Sequence, residues 1–147
     1  MVCLGNICRS PMAEGVLRNR IEQAGLKIIV DSAGTADYHT GEAPDYRAVS
    51  VLRKHGIDIS GLAARQFNER DFDDFDEIYV MDQSNLNNVL TLARSEEDRL
   101  KVRLILNTVH PGLNRSLADP FYGDISHFEA VYAQLNQAAA AIISQLK

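Results

Sequence analysis

Along the whole chain, short apolar or β-branched runs alternate with segments of helical period, and this alternation constrains the fold more than any other feature. The runs IIVDSAG (28–34), EIYVM (77–81) and VRLIL (102–106) read as buried strands. Between them, Ala13, Val16, Leu17, Ile21 and Ala24 recur at helical spacing after Ser10, a possible cap, and Pro11, which suits a first turn; Gly25 is the stop. Asp45 can cap a second helix that carries Ala48, Val51, Leu52 and His55 on one face and ends at Gly56. SNLNNVLTLA (84–93) returns to helical spacing, and a last helix carries Phe128, Val131, Tyr132, Leu135, Ala138, Ala139, Ile142 and Leu146 on a packing face. The acidic run DFDDFDE (71–77) reads as a solvated surface with Phe72 and Phe75 turned inward. The prediction is a single α/β domain over 1–147: an open, parallel, four-stranded sheet with helices on both faces.

A chain of 147 residues, 46% hydrophobic and 24% charged, is long enough to bury one core. No apolar stretch approaches the ~18 residues that a membrane span needs, and the Met1 end has neither a basic leader nor an apolar signal segment, so a cytoplasmic protein without membrane attachment is expected. The net charge of −5 opposes the basic footprint of nucleic-acid binding. Cys3 and Cys8 are the only cysteines, too few for a disulfide scaffold or a four-cysteine zinc site. His39, His55, His110 and His127 show no ligand spacing, so neither a metal nor a cofactor is expected.

In open parallel sheets, ligands settle beyond the carboxyl ends of strands, where a strand turns into a helix, and CLGNICRS occupies such a turn. A loop entering a helix N-terminus presents unpaired N–H groups and the positive end of the helix dipole, a cradle for an anion. Gly5 and Asn6 tolerate the left-handed backbone that lets these groups converge. Such a field favours the thiolate of a cysteine, which places Cys3 as a nucleophile. Arg9 adds a planar fork suited to two oxygens of a tetrahedral anion, and Ser10 can donate to the sulfur as well as cap.

The complete string CLGNICRSP resembles the active-site signature of the low-molecular-weight protein tyrosine phosphatases, and LADPFYGD supplies the Asp-Pro-aromatic signature that the family carries late in the chain. SAGT, PDYRAVSVLRKHGID, ARQF and FDEIYVMDQSNL also look like family segments in family order. The resemblance implies a phosphatase I-like fold and a phosphate loop made of Leu4, Gly5, Asn6, Ile7, Cys8, Arg9 and Ser10. It implies Cys3 as nucleophile, Arg9 as phosphate binder and Asp119 as general acid and base, with Tyr38, His39, Phe121 and Tyr122 walling the substrate cleft. Asp119 also has a bland reading as a turn residue before Pro120, and Cys8 is either a packing residue or the partner of a reversible disulfide with Cys3. The family has several apolar residues before its cysteine where this sequence has Met1 and Val2, so the first strand is stunted or the recorded start lies inside a longer chain.

The implied activity is hydrolysis of phosphotyrosine proteins through a phosphocysteine intermediate, with a tyrosine kinase of polysaccharide export as a partner consistent with family precedent. Three rivals share the loop. A thiol-dependent arsenate reductase relays oxidation through further cysteines, and none follows Cys8. A protein-arginine phosphatase has Thr at the position of Ile7 in related loops. A phosphopeptide-binding module would lack a working acid, which Asp119 weighs against.

Overall fold

The computed structural model describes residues 1–146; Lys147, the last residue of the expected domain, lies outside the described residues. Strands β1 (Val2–Cys3), β2 (Ala33–Gly34), β3 (Ile78–Val80) and β4 (Val102–Leu104) form one sheet of order β2-β1-β3-β4, parallel throughout. The helices are α1 (Arg9–Gln23), α2 (Tyr46–Arg53), α3 (Asp71–Asp74), α4 (Gln83–Thr91), α5 (Glu96–Leu100) and α6 (Ile125–Leu146). Successive strand residues point to opposite faces. Cys3 and Tyr79 pack with Met12, Val16, Leu52, Phe128 and Leu135 beneath α1, α2 and α6. Val2, Ile78 and Val80 pack on the other face with Phe67, Phe72 and Val89. The expected parallel α/β architecture with both faces covered is therefore present. The chain leaves β1 for β2 on one side and crosses back to β3 on the other, so the carboxyl end of β1 is the switch point where such sheets bind ligands.

Several local expectations are corrected. Of residues 28–34, only Ala33–Gly34 pair as a strand, and Ile29 is 87% exposed. A ladder extends only as far as its partner, and here the partner is the two-residue β1, lengthened by Met1, whose carbonyl accepts from the Ala33 amide at 2.9 Å. β4 stops at Leu104, paired with Val80, and Ile105–Thr108 turn into a 3₁₀ helix because β3 itself ends where Asp82 caps α4. The acidic run is not simply solvated: it contains α3, where Asp71 is buried in the fork of Arg65 at 3.0 Å and Phe72 is fully buried, while Phe75 is half-buried. The charged stretch SEEDR holds α5, whose cap Ser95 accepts from the Asp98 amide. The caps expected at the second helix hold, with Asp45 accepting from the Arg47 amide and Gly56 at φ 76° just beyond its end.

Candidate active site

The loop between β1 and α1 wraps the end of the central strand. Asn6 sits at φ 57°, the left-handed region, and this turn brings its amide to 3.3 Å from Cys3 Sγ. The amides of Gly5, Ile7 and Cys8 donate to no protein acceptor among the described residues. The helix opens at Arg9 after Cys8, whose side chain provides no cap. Ser10 lies inside the first turn, contrary to the capping role read from the sequence; its hydroxyl meets Cys3 Sγ at 3.0 Å. Free N–H groups at the helix start are what an oxyanion requires.

Beneath the loop lies a closed polar network. Asn6 Nδ2 donates to Ser10 Oγ at 2.7 Å and to Ser32 Oγ at 3.0 Å, while its Oδ1 accepts from the Arg65 amide at 3.0 Å. Ser32 Oγ in turn donates to the buried Glu14 carboxylate at 2.7 Å. Asn6 therefore spends its side chain on holding its own strained backbone rather than on the cleft. Gly34 sits against the same loop: a Cβ there would lie 2.7 Å from Leu4 O and 3.1 Å from Asn6 N.

Arg9 is 2% exposed, and its Nη1 donates to Asp82 Oδ2 at 2.7 Å and to Leu117 O at 2.8 Å. Leu117 is itself tied to the end of β3 through its amide and Met81 O. The other end of the fork, Nη2, lies 3.6 Å from Asp119 Oδ2. Asp119 is exposed at the cleft mouth, with Oδ1 accepting from the Phe121 amide at 3.1 Å. The sequence reading missed Asp82, Ser32, Glu14 and Gly34; the available signals were an aspartate in capping position within MDQSNL and a glycine directly after a strand.

A cleft of about 200 Å³ opens on this arrangement, lined by Cys3, Leu4, Gly5, Ile7, Cys8, Arg9, Tyr38, His39, Asp119, Phe121 and Tyr122. It collects the expected residues, 119 positions apart in sequence at the extremes of Cys3 and Tyr122, except that Asn6 and Ser10 lie behind it. Phe121 and Tyr122 stand edge to face with centroids 5.0 Å apart, and Tyr38 and Tyr122 are exposed at the rim. His39 leans over Gly5, with Nδ1 2.6 Å from Glu42 Oε2. Both cysteines are free, and burial, reinforced by the nearby Asp45 carboxylate, pushes the Cys8 thiol well above the ordinary thiol range.

The family model for the low molecular weight phosphotyrosine protein phosphatases matches residues 1–147. The low molecular weight phosphotyrosine protein phosphatase of Schizosaccharomyces pombe is 45% identical over 91% of this chain and 86% of its own length. The protein of the same description from Sus scrofa is 40% identical over 99% of this chain and 93% of its own. A crystal structure of protein tyrosine phosphatase from Entamoeba histolytica superposes with a TM-score of 0.92 at 35% identity, covering 99% of this chain and 93% of that one. With a cleft at the switch point of the sheet and likeness over its whole length, the chain belongs to the low molecular weight phosphotyrosine protein phosphatases, a family of protein-tyrosine phosphatases.

Proposed function

We propose that this chain hydrolyses phosphotyrosine in proteins by two in-line displacements at Cys3. The observation that carries the reading is the convergence of Cys3, Arg9 and Asp119 on one small cleft where the amides of Gly5, Ile7 and Cys8 lack protein acceptors among the described residues. Cys3 attacks phosphorus as a thiolate, with the Asn6 amide and Ser10 hydroxyl available to hold the sulfur. The fork of Arg9 and the amides of residues 4–10 take the equatorial oxygens as charge spreads over them. Asp119 protonates the departing phenolic oxygen, and a phosphocysteine forms. Asp119, now a carboxylate, takes a proton from water as it attacks phosphorus; the P–S bond breaks, inorganic phosphate is released, and the Cys3 thiolate and protonated Asp119 are restored. The aromatic walls of Tyr38, Phe121 and Tyr122, with His39, suit a phenyl ring.

Cys8 borders the same cleft as Cys3 and is the proposed redox partner: peroxide oxidises the Cys3 thiolate to a sulfenic acid, and the Cys8 sulfur displaces hydroxide, released as water, to close a disulfide. A nucleophilic thiol works only while reduced, so a cytoplasmic location accompanies this reading. None of the described helices is long and apolar enough to cross a membrane. The phosphoprotein proposed for first examination is a tyrosine kinase of polysaccharide export, the partner the family resemblance implies.

The test is a panel of phosphotyrosine, phosphoarginine and phosphoserine peptides assayed without added metal, alongside Cys3→Ser. Hydrolysis confined to phosphotyrosine and abolished by Cys3→Ser is expected. Normal turnover by Cys3→Ser would overturn the mechanism, and preference for phosphoarginine would move the substrate class.

A further inference from the structure

Arg47 takes no part in the chemistry above, yet four of its five N–H groups are committed around the loop that carries Asp119. It is the second residue of α2, and its side chain is 18% exposed. Nε and Nη2 grip the Asp45 carboxylate at 3.0 and 2.9 Å. Nη1 donates to Gly123 O at 2.8 Å, and Nη2 also donates to Phe121 O at 2.9 Å. The guanidinium carbon lies 4.5 Å from the centroid of the fully buried Phe128 ring and 5.9 Å from that of Phe121.

Two further bonds place this clamp between the halves of the active site. The Asp45 amide donates to Ile7 O at 2.8 Å, joining the cap of α2 to the phosphate loop. The Phe121 amide, one residue from the carbonyl that Arg47 holds, donates to Asp119 Oδ1. A continuous hydrogen-bonded path therefore runs from Ile7 through Asp45, Arg47 and Phe121 to the Asp119 carboxylate. We propose that Arg47 is the positioning residue for Asp119, fixing the 119–123 turn at a set distance from the phosphate loop; the proposal rests on the reading of Asp119 as general acid.

The geometry asks for arginine in particular. One planar fork must face a carboxylate on one edge and two backbone carbonyls on the other while lying against an aromatic ring, which an ammonium cannot do. Without it, two carbonyls of the turn lose their partners and the carboxylate loses its fixed reach. A displacement near 1 Å is enough to lower a proton transfer about 100-fold.

The test separates positioning from mere stability by leaving-group chemistry. Phosphotyrosine releases a phenol that needs a proton, whereas a polyfluorinated phenyl phosphate releases a phenolate that does not. Arg47→Ala is expected to lower kcat/KM for phosphotyrosine by about 10- to 100-fold and for the fluorinated ester by less than about threefold. In an Asp119→Asn background, adding Arg47→Ala is expected to produce no further loss on phosphotyrosine. Equal losses on the two esters, or losses that multiply in the double variant, would overturn the proposal. Failure of the acid reading shows itself separately, as Asp119→Asn that does not discriminate between the esters. Arg47→Lys and Arg47→Gln carry the same comparison should Arg47→Ala fail to fold, with thermal melts recorded for each; a variant that folds and treats both esters alike counts against positioning.

Discussion

Arg9 Nη1 and Asp82 Oδ2 meet at 2.7 Å, and this pair decides where the proposed phosphate-binding fork points. The guanidinium is nearly sealed from solvent, so removing the carboxylate leaves a buried cation with only Leu117 O on that side. Asp82 also caps α4 by accepting from the Asn85 amide at 2.7 Å. Asp82→Ala is therefore expected to lower stability by about 2–3 kcal/mol, read by urea melts, and to weaken inhibition by inorganic phosphate about tenfold or more. Retention of wild-type phosphate affinity would show that Arg9 orients itself without this partner.

Gly34 tests the support of the loop from below. Its missing side chain admits Leu4 O to within 2.7 Å of where a Cβ would be, and the obstacle is backbone rather than a flexible side-chain tip. Gly34→Ala is expected to push the loop off its geometry, reducing kcat/KM by about 10- to 100-fold and stability by about 1–3 kcal/mol. Steady-state assays with a parallel melt check both, and unchanged kinetics would mean that the loop yields without consequence.

The Asp45 carboxylate supplies a pH dependence whose sign is fixed. Burial works to raise its pKa, but the side-chain and backbone hydrogen bonds from Arg47 outweigh it, and the carboxyl stays below the usual aspartate value. The unfolded value is near ~3.9, so the pair's contribution is fully present above that pH and is lost as pH falls through the depressed folded value. Asp45→Asn should flatten this part of the acid-unfolding curve while leaving the slope above about pH 6 unchanged. An acid limb identical to wild type would remove Asp45 from the account.

Cys3 and Cys8 are both buried but have different partners, and a difference in reactivity is expected from that. Burial holds the Cys8 thiol protonated at neutral pH, whereas Cys3 faces the Asn6 amide and Ser10 hydroxyl. Iodoacetate at pH 7 should alkylate Cys3 and spare Cys8, read by peptide mass mapping, and phosphate should protect Cys3. After peroxide, a Cys3–Cys8 disulfide reversible by thiol is expected in the same map. Irreversible oxidation of Cys3 with Cys8 untouched would reduce Cys8 to a packing residue.

The chemistry of this chain is written in contiguous residues. CLGNICRSP carries the proposed nucleophile, the left-handed turn and the guanidinium within nine positions, and Asp119 stands beside Pro120 and two aromatics, so the proposed reaction parts were legible through their resemblance to the family's two signatures. The alternation of strand and helix likewise fixes a parallel sheet, since each apolar run is separated from the next by a helix that returns the chain to the same edge. Extents were less legible. Residues 28–30 have β-branched character yet lie outside the ladder, because strand length depends on the neighbour and the neighbour is β1. The short helices α3 and α5 were hidden in charged runs because their stability comes from the Arg65–Asp71 and Arg94–Asp98 pairs and from caps, not from an apolar period.

What the sequence by itself determined is the set of proposed reacting groups and a parallel α/β sheet in which a loop runs from a strand into a helix, both consequences of local chemistry and periodicity. Only the tertiary structure decided how those groups are aimed: Asp82 on Arg9, Ser32 and Glu14 beneath Asn6, and Arg47 between Ile7 and Phe121 all act across long stretches of chain. Such contacts arise from packing, which juxtaposes residues with no relation in sequence, and no local pattern encodes which aspartate will meet which arginine.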